Sequence, residues 1–111
     1  MMYIYSTIIQ EDINMKITDI KIRKTFTDGP MKAIASVTFD HQLVVHDIKV
    51  IYAREKYFIV MPSRKNPDET YRDIVHPINS EFRATLEDAV KAAYDAELEA
   101  LENAEEPEII E

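Results

Sequence analysis

Residues 31–39, MKAIASVTF, set Met31, Ala33, Ala35, Val37 and Phe39 against Lys32, Ser36 and Thr38. Successive side chains of a strand point to opposite faces, so this period of two commits the segment to a strand with one buried side. Residues 16–24 repeat the pattern, with Ile20 and Ile22 on one face and Lys21 and Arg23 on the other. Between these strands Asp28-Gly29-Pro30 forms a turn that holds the only glycine of the chain. Asp40-His41 marks a tight turn, and residues 43–51 form a third strand interrupted at His46-Asp47. Arg54-Glu55 is a turn, and residues 57–61 form a fourth strand, apolar on both faces, which predicts a central place in the sheet.

Residues 61–79, MPSRKNPDETYRDIVHPIN, leave that strand at Pro62 and carry Ser63, Arg64 and Lys65 into a loop broken by Pro67. Two prolines and an Asp-Glu pair exclude a helix there. The segment re-extends from Tyr71, and residues 72–76 are expected as a short fifth strand. Asn79 or Ser80 then caps a helix. Phe82, Leu86, Ala89, Val90, Ala93, Tyr94, Leu98 and Leu101 recur at three and four, one apolar stripe. The helix is expected to fray after about Asn103, because Glu99 and Glu102 oppose the helix dipole in its last turn. Sequential strands followed by a helix predict an α+β fold: an antiparallel sheet of four to five strands with the C-terminal helix packed on one face, a two-layer sandwich.

A chain of 111 residues supports one domain and one modest core. Residues 1–14 read as an N-terminal extension, 15–103 as the domain and 104–111 as an acidic, disordered tail. Residues 3–9 suit either an added edge strand or a disordered arm. The first dozen residues lack a basic segment and a small-residue cleavage site, so they make a poor signal peptide. No apolar run nears the ~20 residues of a membrane helix. The absence of cysteine removes disulfides and zinc-thiolate sites and fits a reducing cytoplasm.

The formal charge of −8 is unevenly laid out. All 13 Lys and Arg lie between Lys16 and Lys91, against 11 acids, so that segment is mildly basic; residues 95–111 hold 8 acids and no base. An acidic tail keeps a protein soluble and competes with polyanions for a basic face.

Catalysis finds little support. One glycine forbids a glycine-rich phosphate loop, and no cysteine nucleophile or serine elbow is present. His46-Asp47 resembles a base and its orienting carboxylate, but adjacent strand residues diverge. A metal site from His46, His76 and Asp73 ranks below the plainer reading, in which His46 and Asp47 satisfy local hydrogen bonds and His76 packs on Pro77 and the helix start. No cofactor is expected. The cations lead further. Lys21, Arg23 and Lys24 share a strand and its end, Lys32 lies on the next, Arg64, Lys65 and Arg72 flank the loop, and Arg83 and Lys91 sit on the polar face of the helix. Cations without base-edge geometry suit phosphate contact, and Tyr71 suits stacking on a base. For any one lysine, an ordinary solvated face is the stronger reading.

The blocks MKITDIKIRK (15–24), MKAIASVTFD (31–40), VVHDIKVI (44–51), FIVMPSRKNPDETYRDIVHPIN (58–79) and SEFRATLEDAV (80–90) resemble, in order and spacing, the SpoVG (stage V sporulation protein G, septation regulator) family. The resemblance spans residues 15 to about 94. Family glycines are replaced here in Tyr52-Ala53-Arg54-Glu55 and in Asn66-Pro67-Asp68-Glu69. The resemblance implies a cytoplasmic homodimer without enzymatic activity that binds DNA or RNA and regulates genes tied to septation or sporulation. It implies contacts at Arg64, Lys65 and Arg72, with Tyr71 beside them, and at Arg83 on the early helix. Leu98 and Leu101 are placed to pack on a second copy. The alternative is a protein-interaction module whose acidic tail or sheet edge meets a division or regulatory protein.

Overall fold

The computed structural model describes residues 14–105; the arm or strand expected over residues 3–9 and most of the expected tail lie outside the described residues. Four strands form an antiparallel meander in the order of the chain: β1 (Ile17–Thr25), β2 (Met31–Phe39), β3 (Leu43–Ala53) and β4 (Lys56–Val60). A separate two-stranded sheet follows, β5 (Ser63–Lys65) with β6 (Tyr71–Asp73), and then one helix, α1 (Ser80–Glu105). The α+β expectation holds.

The alternation in β2 does what a period of two requires. Ala33, Ala35, Val37 and Phe39 are buried and meet Ile48 and Val50 of β3, Ile59 and Met61 at β4, and Leu86, Val90 and Tyr94 of α1. Each large aliphatic side chain buried in this way contributes about 1.5–3 kcal/mol. Asn79 caps the helix, its Oδ1 accepting from the Phe82 amide at 2.7 Å. The helix runs to Glu105, slightly beyond the expected end.

The turns are tight and almost free of glycine. Asp40 and His41, at φ 53° and 56°, and Arg54 and Glu55, at φ 54° and 65°, are all left-handed. Paired left-handed residues give the turn whose twist matches antiparallel strands. The interruption at His46-Asp47 is a bulge: Ala35 faces Ile48 but Val37 faces Val45, and Asp47 takes φ 65°. The ring of His46 is held at its Nδ1, 2.8 Å from the Ser36 hydroxyl.

Two expectations are corrected. Among the described residues the fourth strand is not central; β4 is an edge, bonded only to β3. Its second apolar face, Phe58 and Val60, is half buried beside Ile51 and the stem of Lys49, with no further layer over it among the described residues. The expected fifth strand does not join the main sheet. Residues 71–73 pair instead with 63–65, a segment expected as loop.

Candidate functional site

The segment after β4 folds back on itself because its middle is built as a turn. The Asn66 carbonyl accepts from the Glu69 amide at 3.0 Å, and the Asn66 amide donates to Thr70 at 2.7 Å. Pro67 supplies a preset φ, and Glu69 takes the left-handed conformation, φ 75°, that closes a three-residue hairpin loop. Asp68 Oδ1 accepts from both the hydroxyl (2.6 Å) and the amide (3.1 Å) of Thr70. Those bonds, the hydroxyl first, hold the Asp68 carboxyl below its ordinary value. The Ile74 amide bonds the Pro62 carbonyl at 2.8 Å and ties off the base of the hairpin.

This β5–β6 ribbon carries four of the five residues singled out by sequence, sorted onto two faces. Arg64 stands directly opposite Arg72, and Lys65 opposite Tyr71. Alternation therefore puts both arginines on one face and Lys65 with Tyr71 on the other. Neither arginine has a carboxylate within salt-bridge distance among the described residues, whereas Lys65 Nζ lies 3.3 Å from Glu69. Like charges directly opposite on paired strands repel, and no ion pair among the described residues offsets that repulsion for Arg64 and Arg72. Tyr71 is 68% exposed. A shallow groove of about 680 Å³ runs past Arg64, Asn66, Arg72 and Ile74.

Arg83 stands apart from the ribbon. Its guanidinium donates to the Ile59 carbonyl at 2.8 Å and lies 3.4 Å from Glu87, tying α1 to the edge of β4. Lys91, also on the helix, pairs with Asp95 at 2.8 Å and lies 4.6 Å above the Tyr57 ring; the Asp95 bond raises its pKa. His76 Nδ1 lies 3.0 Å from the Pro77 carbonyl oxygen. His46, His76 and Asp73 do not gather: among the described residues no group of three acids or histidines is placed to hold a metal. Among the same residues no helix is long and apolar enough to cross a membrane.

A second feature gave no signal in the sequence. An apolar cleft of about 580 Å³ lies between the β2–β3 turn, the linker 75–79 and the start of α1, walled by Leu43, Met61, Val75, Phe82 and Leu86. Its rim residue Ile78 is 89% exposed.

The stretch that builds the sheet, the ribbon and most of the helix also has counterparts among known proteins. The chain is 50% identical over 91 residues to SpoVG 1 of Listeria monocytogenes serotype 4b, covering 82% of this chain and 89% of that protein. It is 54% identical over 82 residues to the SpoVG protein of Acetivibrio thermocellus, covering 74% and 87%. It is 58% identical over 80 residues to that of Clostridioides difficile, covering 72% and 87%. The names of all three refer to septation and to no enzymatic activity. The SpoVG family model matches residues 15–96, and with that match across the whole sheet, the ribbon and most of the helix, the chain belongs to the SpoVG family.

Proposed function

We propose that the protein is a non-catalytic, nucleic-acid-binding regulator that acts in septation and sporulation through gene expression in the cytoplasm, and that the β5–β6 ribbon is its contact element. The observation that carries this reading is the Arg64–Arg72 cross-strand pair, two arginines opposed on adjacent strands with no ion-paired carboxylate among the described residues. A phosphate between them removes the repulsion and takes up the bidentate geometry that guanidinium offers. A two-stranded ribbon also fits the major groove of a duplex, about 12 Å wide. Lys65 and Tyr71 on the other face add a further phosphate contact and a stacking surface. Arg83, expected as a further phosphate contact, fixes the helix start on β4 through the Ile59 carbonyl. The septation role rests on the names of the relatives.

Reversing Arg64 and Lys65 together to Glu, with binding read by anisotropy on short DNA and RNA probes across a salt series, tests the reading. The native chain is expected to bind despite a sequence pI of 4.8. The double reversal lowers affinity and flattens the log–log salt slope by about 2 on duplex. Unchanged affinity and slope would show that the ribbon is not the surface. Removal of residues 106–111 is expected to leave binding equal or tighter.

A second reading has its own observation. The apolar cleft with exposed Ile78 suits a hydrophobic segment of a division or regulatory protein. Ile78→Asp abolishes such a contact and leaves nucleic-acid binding intact. Leu98 and Leu101, each 41% exposed, support a homodimer joined along the helix, checked by sedimentation of Leu98→Asn/Leu101→Asn.

A further inference from the structure

Helix α1 covers one face of the four-stranded sheet; the other face has a charge pattern of its own. Pairing places Lys24, Ile34, Lys49 and Val60 in a single row across all four strands. Along β2 from Ile34, Ser36 stands opposite Lys21 and Thr38 opposite Asp19, so these side chains share that face. In the other direction Ile51 pairs with Phe58 and Ala53 with Lys56. Lys32 precedes Ala33, which is fully buried on the helix side, and so points the same way as Lys24 and Lys49.

Lys21, Lys24, Lys32, Lys49 and Lys56 therefore stand on one face, against Asp19 and the bulge residue Asp47. Only Lys21 has an acid within reach, Asp19 at 3.9 Å; the other four lysines make no ion pair among the described residues. In a chain of net charge −8 this concentration runs against the composition. Among the lysines lie half-buried Ile34, Ile51, Phe58 and Val60.

Charge complementarity selects a polyanion, and the shape selects which. Four strands span about 14 Å, too broad and flat to enter a duplex groove. An apolar centre with one aromatic ring, ringed by cations, matches a strand whose bases are unstacked and face the sheet while its phosphates reach the lysines. A second copy packed here about a two-fold axis would set lysines against lysines. We propose that the open face of the sheet binds single-stranded nucleic acid, with Lys24, Lys49 and Lys56 on phosphates and Phe58 under a base. The proposal rests on the reading of this protein as a nucleic-acid binder and adds a second surface to it.

The test uses the full chain and fluorescein-labelled pyrimidine-rich probes: single-stranded DNA, single-stranded RNA of the same sequence, and the DNA duplex. Lys24→Gln/Lys49→Gln/Lys56→Gln is expected to bind single strands at least tenfold more weakly. Its salt slope should be shallower by about 2, three contacts at roughly 0.7 each. Phe58→Leu, which keeps an apolar side chain, loses roughly fivefold or more in single-strand affinity with the slope unchanged. Duplex affinity stays within about twofold in both variants, and the DNA and RNA arms show which strand is preferred. Unchanged single-strand affinity and slope in the triple variant overturn the proposal. So does an equal loss on duplex, or a shift in sedimenting mass without a loss of binding, which would make this face an interface between copies. Reversal of Arg64 and Lys65 separates the two readings. If it leaves all binding intact while the lysine variant loses single strands, the ribbon reading fails and the sheet-face proposal stands; the opposite pattern rejects the sheet face alone. No binding of any probe by the native chain, even at low salt, overturns both.

Discussion

Arg83, in the first turn of the helix, donates to the carbonyl oxygen of Ile59 on the outer edge of the sheet, at 2.8 Å. Glu87, one turn on, accepts from the amide of the same Ile59 at 3.3 Å and lies 3.4 Å from Arg83. Both backbone groups that β4 turns outward at this position are thereby satisfied by side chains of α1, one of the ways an edge strand is protected. Arg83→Met is expected to cost about 1–2 kcal/mol, the worth of a charge-assisted hydrogen bond at a partly exposed site. The melting temperature falls by roughly 5–10 °C, while nucleic-acid affinity of the folded protein stays within about twofold. A loss of affinity at unchanged melting temperature would make Arg83 a contact residue instead.

The helix start depends on Asn79, whose side chain takes up the Phe82 amide at 2.7 Å. Asn79→Ala leaves that donor unmet and is expected to cost about 1 kcal/mol, whereas Asn79→Asp retains the cap. Urea unfolding of the two variants side by side checks this. Equal destabilisation by both would mean that the cap is not the source of the loss.

Glu55 holds φ 65° in the turn between β3 and β4, beside Arg54 at 54°. A side chain in the left-handed region costs about 1–2 kcal/mol, part of which glycine returns as unfolded-state entropy. Glu55→Gly is therefore expected to gain about 0.5–1 kcal/mol, visible as a melting point a few degrees higher. A lower melting point would show that the Glu55 side chain contributes more than its backbone strain removes.

At Asp68 the bonds from Thr70 place the folded-state pKa below the ordinary 3.8. A depressed carboxyl pKa adds stability that is fully present above the unfolded value. That contribution declines as pH falls from 3.8 and is gone below the folded pKa. The amide shift of Thr70, followed by NMR from pH 6 to pH 2, should move with a midpoint below 3.8. Thr70→Val deletes the hydroxyl donor and should move the Asp68 midpoint upward; an unmoved midpoint would assign the shift to the amide alone.

The sheet was legible where side chains alternate. The pattern of β2, the turn at Asp40-His41, the interruption at His46-Asp47 and a cap at Asn79 or Ser80 all read directly from residue type; the structure makes it Asn79. The place of β4 was not, because apolar side chains on both faces say what lies above and below a strand and nothing about which strands lie beside it. The ribbon was missed for a different reason: each of its strands has three residues, mostly exposed, too few to show a period. Its turn chemistry, Asn66-Pro67-Asp68-Glu69, was the available clue. Arg64, Lys65, Tyr71 and Arg72 were identified as a set, but a loop has no faces, so the opposition of the two arginines came only with the pairing. Arg83 was expected as a contact residue on the polar face of the helix, and its bond to a backbone carbonyl of another element is nothing that residue type announces.

The helix leaves the linker beside the ribbon at Ser80 and ends at Glu105, carrying Asp95, Glu97, Glu99, Glu102 and Glu105 with no base among them. At 1.5 Å per residue these acids begin about 22 Å from the helix start and continue to about 37 Å. The molecule is therefore electrically lopsided along its helix. A polyanion approaching the acidic end is turned away, and one approaching the ribbon, where Arg64, Lys65 and Arg72 balance Asp68, Glu69 and Asp73, is not, so orientation is sorted before any contact forms. Productive collisions are then chosen by long-range field, and that sorting of orientation should fade as added salt shortens the reach of the field.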